Sequence, residues 1–207
     1  MDWIFSHRNL AILSAFFIAA IFYGRLAMAS NVETPQYDVV EKFPDFEVRQ
    51  YTETIQARVV IAGPDRPGMS GGFRALAGYI FGGNQTEEKI AMTAPVATQL
   101  SEDQLWMTFT MPGSYSLEDL PVPNNASVEL IEVPETTLAA LQFSGWATQS
   151  KAQQMKEKLL GALQQAGLEV SAEPILAQYD PPSQLPMFRR NEILVPISLP
   201  KSGVASP

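Results

Sequence analysis

Few residues of this 207-residue chain have the chemistry of a catalytic group. Its single histidine, His7, lies near the N-terminus, and the chain has no cysteine. The remainder therefore has no imidazole or thiolate for a nucleophilic triad, a histidine-ligated zinc or a disulfide. Two carboxylate pairs, Glu87–Glu88 and Glu118–Asp119, lie in polar segments that are typical of solvated loops. We predict that the protein is not an enzyme and has no metal site.

The chemistry that remains is binding by apolar side chains with a few cations nearby. Phe73, Ala77 and Ile80 recur at helical spacing, and Arg74 is the one cation among them. A concave apolar slot with a cation at its mouth suits a flat dianionic macrocycle, because the ring must leave water while its carboxylates must not. Further methionines and cations are candidates for the walls and rim of such a slot: Met69, Met92, Met107, Met111, Arg58, Lys89, Arg189 and Arg190.

The apolar spacing predicts a helix over residues 73–81. Gly82 and Gly83 supply the positive φ that ends a helix, and Pro95 demotes the apolar run after them to an edge strand or a bulge. Strand alternation and turn residues predict the other elements of this half of the chain. They are strands at 37–50, with a turn or bulge at Pro44–Asp45, and at 54–62, a loop at 63–72, and strands at 89–99 and 105–111.

The second half of the chain repeats this order of elements. It has predicted strands at 127–133 and 137–146, an amphipathic helix at 151–166 ended by Gly167, and strands at 168–178 and 192–199. The repeat predicts an internal duplication, although identity between the halves is weak. Two such units can close into a single sheet or a barrel that buries one face of every strand.

The N-terminus predicts export. Residues 1–30 combine Arg8, a short apolar run at 10–23 and the small-residue pattern 27–29. The short run favours a cleaved signal peptide, whereas Arg25 in the cleavage region favours an uncleaved anchor helix. Both remain open, and the predicted location is extracytoplasmic: membrane-anchored or periplasmic. A linker at 31–36, a domain at 37–199 and a tail at 200–207 complete the predicted organisation.

The charge of the chain argues against a nucleic-acid partner. Its formal net charge is -8, and its 14 basic residues are scattered rather than clustered. Binding to a phosphate backbone requires clustered lysine and arginine that displace counterions. We therefore expect no nucleic-acid binding.

Eight short motifs occur in an order that resembles the SOUL haem-binding family. The resemblance extends from about residue 37 to residue 197. The motifs are FEVRQY at 46–51, FRALAGYIFGGN at 73–84, IAMTAPV at 90–96, FTMP at 109–112, LPVP at 120–123, FSGWA at 143–147, YDPP at 179–182 and RRNE at 189–192. The resemblance implies an α+β fold, a distorted antiparallel β-barrel of two related halves flanked by two α-helices.

The resemblance also implies that haem lies against the first helix. Carried onto this chain, the cofactor-binding residues are Phe73, Arg74, Leu76, Ala77 and Ile80. This helix departs from the family pattern because it carries fewer basic residues. Some members are proposed to use a histidine as the axial ligand of the iron, which residues 31–207 lack. Haem without a strong protein ligand is the consistent expectation, with weak candidate ligands in Tyr79, Met69 and Met92.

The function expected from these features is non-enzymatic binding of haem or another tetrapyrrole by an exported or membrane-anchored carrier, buffer or sensor. One alternative keeps the fold but binds another hydrophobic small molecule, such as a lipid or a drug-like cation, because the fold is also similar to that of bacterial effector-binding domains. The other alternative is a membrane-tethered interaction domain whose pocket is filled by its own side chains.

Overall fold

The computed structural model describes residues 32–61, 68–100 and 105–198. From Glu33 onward these residues form a single structural unit. The predicted leader at 1–30 and the predicted tail at 200–207 lie outside the described residues. The boundaries expected for the linker and the domain stay predictions.

Ten antiparallel strands of the described residues form one sheet, and two helices pack against it. The helices are α1 (Gly68–Ile80) and α2 (Gln149–Ala166), and a short 3₁₀ helix covers Pro186–Phe188. The strands are β1 (Tyr37–Lys42), β2 (Glu47–Tyr51), β3 (Thr54–Val60), β4 (Val96–Gln99), β5 (Trp106–Thr110), β6 (Glu129–Val133), β7 (Thr136–Phe143), β8 (Glu169–Val170), β9 (Ile175–Gln178) and β10 (Asn191–Ser198).

The sheet is curled, and this confirms the predicted α+β fold. Its strand order is β1-β2-β7-β10-β9-β4-β5-β3-β6, and β8 pairs with β10. Tyr51 of β2 and Val133 of β6 come from strands near opposite ends of this order, yet both line the same cavity. The sheet therefore bends around that cavity as an open, distorted barrel.

The two halves share one connectivity. In β3-α1-β4-β5 the last strand lies between the first two strands, and in β7-α2-β9-β10 it does the same. β4 pairs with β9 and thereby joins the halves. The structure thus has the two related halves that were predicted, while duplication of an ancestral sequence stays a prediction.

Helix α1 begins at Gly68, so the prediction of a loop through residue 72 was wrong at its end. Gly72 looked like a loop residue because glycine is a poor helix former. In the structure it lies against the end of β3: a Cβ at this position would be 2.2 Å from Cγ2 of Ile61, the residue directly after that strand. Close packing between helix and sheet, rather than a turn, explains this glycine.

Among the predicted strands, one is much shorter than expected and two are divided. The strand predicted at 89–99 is regular only over Val96–Gln99, because the preceding residues follow the end of α1 through isolated bridges such as Phe81 to Lys89. The strand predicted at 37–50 divides at Pro44–Asp45, as expected for a turn there. The strand predicted at 168–178 divides into β8 and β9.

Each helix covers a separate part of the core on the same face of the sheet. Under α1, Leu76 and Ile80 pack with Val59, Met107 and Phe109 of β3 and β5. Under α2, the buried residues Leu159 and Leu163 pack with side chains of β2, β7 and β10: Val48, Ala139, Leu141, Ile193 and Val195. The opposite, concave face of the sheet is left without a helix.

Candidate functional site

The inner face of α1 is part of the core. Leu76 is 0% exposed, and Tyr79 and Ile80 are equally well buried. Two of the residues predicted to bind haem, Leu76 and Ile80, therefore hold the helix to the sheet and do not reach its outer surface. The five predicted residues do not form one continuous surface.

The outer face of α1 carries an exposed apolar stripe. Met69, Phe73 and Ala77 follow one another at intervals of four residues on one side of the helix, and Phe81, directly after its end, continues the row. Phe73 is 42% exposed and Phe81 62% exposed, and Arg74 is exposed beside them. We call Met69, Phe73, Ala77 and Phe81 the α1 stripe. It is an unusual surface for a soluble helix, because large apolar side chains normally turn inward.

Phe73 joins the α1 stripe to the core. Its ring centroid lies 5.5 Å from that of the buried Phe109 on β5, in an edge-to-face arrangement. The contact fixes the ring while leaving part of it exposed. A ligand on the α1 stripe would thus meet a positioned aromatic side chain.

The loop after α1 is held by Asn84, which is buried. Its Nδ2 donates to the carbonyl oxygens of Tyr79, at 3.1 Å, and Glu88, at 2.8 Å. Its Oδ1 accepts from the backbone N–H of Glu88 at 3.0 Å. These bonds satisfy backbone polar groups at the end of the helix and in the turn after it. Phe81 and the following segment therefore keep a defined position.

Gly82 and Gly83 serve two different purposes in this loop. Gly82 has φ +103, which confirms its predicted role in ending the helix, but Gly83 is not among the described glycines with positive φ. A Cβ at Gly83 would lie 2.6 Å from the carbonyl oxygen of Gly78. Gly83 is therefore required because the backbone approaches itself, and the predicted positive φ at Gly83 was wrong.

The candidate iron ligands have different surroundings. The hydroxyl of Tyr79 is buried and donates to the carbonyl oxygen of Pro121 at 3.0 Å. Burial raises the pKa of Tyr79 to about 12, so the phenol stays neutral at physiological pH. Met69 and Met92 are exposed. Of these three candidates, the two methionines are accessible and Tyr79 is not.

A cavity of about 270 Å³ lies on the concave face of the sheet. Its floor and walls include Trp106, Leu138 and Leu194 together with threonines and glutamines. Arg58, at its border, stacks over the ring of Trp106 at 4.1 Å and pairs with Glu129 at 3.0 Å. No residue of the α1 stripe lines this cavity, so the two surfaces are separate.

A buried charge cluster, which the sequence patterns did not predict, also faces the concave side. Glu192 accepts from Arg49 at 3.0 Å, from Tyr179 at 2.9 Å and from Arg190 at 2.9 Å. The motifs FEVRQY and RRNE contain three of these residues, but their pairing depends on β7 lying between β2 and β10. The four side chains satisfy one another and thus stabilise the fold.

The described residues show neither a metal centre nor a membrane-spanning helix. Within 32–61, 68–100 and 105–198, no group of three His, Cys, Asp or Glu residues could hold a metal ion. Over the same ranges, no helix has the length and hydropathy needed to cross a bilayer.

Comparison with known proteins gives matches along most of the chain. Residues 32–196 match the family model described as SOUL heme-binding protein. Heme-binding protein 2 of Mus musculus is 32% identical over 131 residues, which cover 59% of this chain and 62% of the mouse protein, less than two thirds of its length. Heme-binding protein 2 of Homo sapiens is 28% identical over 181 residues, covering 81% of this chain and 87% of the human protein.

Solved structures share the fold at low sequence identity. The C-terminal domain of EcmrR aligns with a TM-score of 0.56 at 11% identity, covering 78% of this chain and 98% of that domain. A hydrolase from Listeria innocua aligns with a TM-score of 0.54 at 13% identity, covering 77% of this chain and 94% of the hydrolase. Likeness at this level shows the fold alone.

Proposed function

This chain belongs to the SOUL heme-binding family, and from this membership and the α1 stripe we propose that it binds haem, or a similar flat tetrapyrrole, without acting as an enzyme. The observation that supports this proposal is that one helix combines exposed apolar side chains with an adjacent cation. The proposed role of the protein is that of a haem carrier, buffer or sensor.

The residues of the α1 stripe fit the chemistry of haem. The apolar faces of the macrocycle leave water when they lie on Phe73, Phe81 and Met69, which are already exposed. Arg74, exposed on the same helix, can pair with a propionate in a charge-assisted hydrogen bond. When bound, haem supplies the redox and ligand-binding chemistry of its iron. The protein contributes an apolar surface, a cation and the accessible thioethers of Met69 and Met92.

A haemin titration tests this placement. We expect Phe73→Ser to weaken haemin binding by about tenfold, because burial of an aromatic ring is lost. Ala77→Trp should obstruct the stripe, and Arg74→Gln should weaken binding by about fivefold or more. Val40→Ser is the matched control, since Val40 is a similarly exposed apolar residue on β1, at the far end of the sheet. Folded Phe73→Ser and Ala77→Trp proteins that bind haemin like the wild type contradict the placement.

Export or membrane anchoring by residues 1–30 is part of the same proposal and has its own test. The support is the apolar run at 10–23. An anchored protein keeps its N-terminal methionine and stays with membranes after a carbonate wash. A soluble protein that begins at Ser30 establishes cleavage of a signal peptide. A soluble protein that retains residue 1 and does not leave the cytoplasm contradicts both.

The concave cavity supports a second candidate function, the binding of a different hydrophobic small molecule. The charged side chain of Arg58 at its border is already paired with Glu129, so the cavity favours an uncharged ligand. Nile red, a neutral apolar dye, is a suitable probe. Ala97→Trp should block dye binding by filling the cavity without affecting haemin binding. Loss of haemin binding in that variant would instead assign haem to the cavity.

A further inference from the structure

Four large apolar side chains extend into solvent from two neighbouring loops. Trp146 follows β7, and Leu185, Met187 and Phe188 precede β10. Their exposed fractions lie between 58% and 67%. We call these four residues the loop patch. Single exposed apolar residues are ordinary, but a group of four on adjoining loops indicates a surface that a membrane or another molecule covers.

The two loops are rigidly joined. The backbone N–H of Gly145 donates to the carbonyl oxygen of Pro186 at 2.9 Å, and Nδ2 of Asn191 donates to the carbonyl oxygen of Gly145 at 3.1 Å. The 3₁₀ helix adds a bond from the N–H of Phe188 to the carbonyl oxygen of Leu185 at 3.0 Å. These bonds hold the apolar side chains outward when they could otherwise collapse onto the domain.

Arg189 places a positive charge within the loop patch. Its guanidinium lies 4.0 Å from the centre of the Trp146 ring, and it donates to the carbonyl oxygens of Gln184, at 2.9 Å, and Pro182. Among the salt bridges of the described residues, none involves Arg189. The nearby carboxylates are engaged: Asp180 accepts from the backbone N–H of Arg190, and Glu192 is bound by two arginines. The charge of Arg189 is thus not neutralised by a carboxylate.

The N-terminal end of the described chain lies at the same edge of the sheet. Glu33 pairs with Thr93, three residues before the first residue of β4. The first residue of β4, Val96, pairs with Gln178 at the end of β9, and Gln178 pairs with Asn191 at the start of β10. The described chain therefore begins at the edge of the sheet that carries the loop patch.

We propose that the loop patch is a membrane-contact surface that inserts its apolar side chains into the interfacial region of a bilayer with anionic headgroups. Tryptophan and phenylalanine are favoured at this depth, leucine and methionine add buried apolar area, and Arg189 lies at the level of the headgroups. A protein partner would also cover apolar area, but the positive charge and the position of Glu33 at the same edge favour lipid.

The absence of cysteine permits a direct test with full-length protein. A nitrobenzoxadiazole label is attached to Met187→Cys in the loop patch and, as a matched control, to Val170→Cys. Val170 is another exposed apolar residue, and it pairs with Ile197 near the far end of β10, roughly 20 Å from Asn191 at ~3.4 Å per residue. Vesicles of phosphatidylcholine and phosphatidylglycerol in equal parts should move only the Met187→Cys emission to shorter wavelength. Because both proteins carry the same residues 1–30, tethering by the leader alone moves neither emission.

A second set of variants separates lipid from other partners. Adding Leu185→Ser and Phe188→Ser to Met187→Cys should raise the lipid concentration needed for the shift by about tenfold or more, with unchanged circular dichroism. Vesicles of phosphatidylcholine alone should also require more lipid, and an equal response contradicts the role of Arg189. An unchanged Met187→Cys emission overturns the proposal, as does a shift that depends on protein concentration without vesicles, which would assign the loop patch to self-association. Haem is absent throughout, so the outcome does not bear on haem binding.

Discussion

Arg49 and Glu192 form a buried ion pair, with Nη1 of Arg49 3.0 Å from Oε2 of Glu192. The residues lie on β2 and β10, and β7 separates these strands. Burial lowers the pKa of Arg49, but its hydrogen bond to Tyr51 and the charge of Glu192 outweigh burial and raise that pKa. Burial and the charge of Glu192 both raise the pKa of Tyr179, which keeps it a neutral donor. The pair connects the first and second halves of the chain.

Replacement of Glu192 should be strongly destabilising. We expect Glu192→Gln to lower the free energy of unfolding by about 3 to 5 kcal/mol, because Arg49 and Arg190 then lose the carboxylate that compensates their charge. Urea denaturation followed by circular dichroism measures the change. The control is Glu129→Gln, which breaks the exposed pair with Arg58 and should cost less than about 1 kcal/mol. Similar losses in the two variants would show that burial of the first pair is unimportant.

Stability should fall at alkaline pH partly through Tyr79. Its pKa of about 12 in the folded protein exceeds the value of about 10 expected for the unfolded chain. Between these values the folded state binds more protons, so this contribution is complete below about pH 10 and is lost as the pH rises toward 12. The loss amounts to about 3 kcal/mol. Tyr79→Phe should flatten the dependence of unfolding free energy on pH in this range, and an unchanged slope contradicts the assignment.

Leu76 and Phe73 should respond differently although both lie on α1. Leu76→Ala should cost about 2 to 5 kcal/mol of unfolding free energy, because it leaves a cavity against the sheet. Phe73→Ala should cost about 1 to 2 kcal/mol, since part of its ring already contacts water, yet it should weaken haemin binding more. Thermal melts and haemin titrations on the same samples separate the two effects. Equal loss of haemin binding by folded samples of both variants would contradict the division of the helix.

Two glycine substitutions should change stability in opposite directions. Gly83→Ala should destabilise by about 1 to 3 kcal/mol, because its Cβ meets the backbone carbonyl of Gly78 at 2.6 Å. Gly161→Ala is the matched control: this glycine lies within α2, and an added Cβ there meets nothing within 4 Å. Alanine should therefore stabilise the helix by about 0.5 to 1 kcal/mol. The urea concentrations at the midpoint of unfolding check both expectations. An unchanged midpoint for Gly83→Ala would show that the loop can move to accommodate the added Cβ.

The absorption spectrum of the haem complex should report weak ligation. Residues 32–198 contain neither histidine nor cysteine, so we expect a broad Soret band without the low-spin spectrum of bis-histidine haem. Met69→Leu and Met92→Leu test the accessible thioethers, with Met107→Leu, which is buried, as the control. A sharp six-coordinate spectrum that survives both exposed substitutions would reveal a ligand of another type.

Much of the fold and part of the site could be predicted from the sequence. The helix ending at Gly82, the cap at Gly167 and the turn at Pro44–Asp45 depend on local backbone preferences, which a few consecutive residues determine. The order of the motifs identified the family, and the spacing of Phe73 and Ala77 placed them on one helix. The lack of histidine and cysteine between residues 32 and 198 is likewise a property of the sequence alone.

Tertiary structure decided which of these residues meet. Leu76 and Phe73 both fit the helical spacing of apolar residues. Only the position of β3 and β5 makes Leu76 a core residue and Phe73 a surface residue. Glu192 and Arg49 are far apart in the chain, and their pairing follows from β7 lying between their strands. Trp146 and Phe188 become neighbouring exposed residues because β7 ends where β10 begins. Local patterns determine elements, whereas contacts between distant segments depend on how the curled sheet arranges its strands.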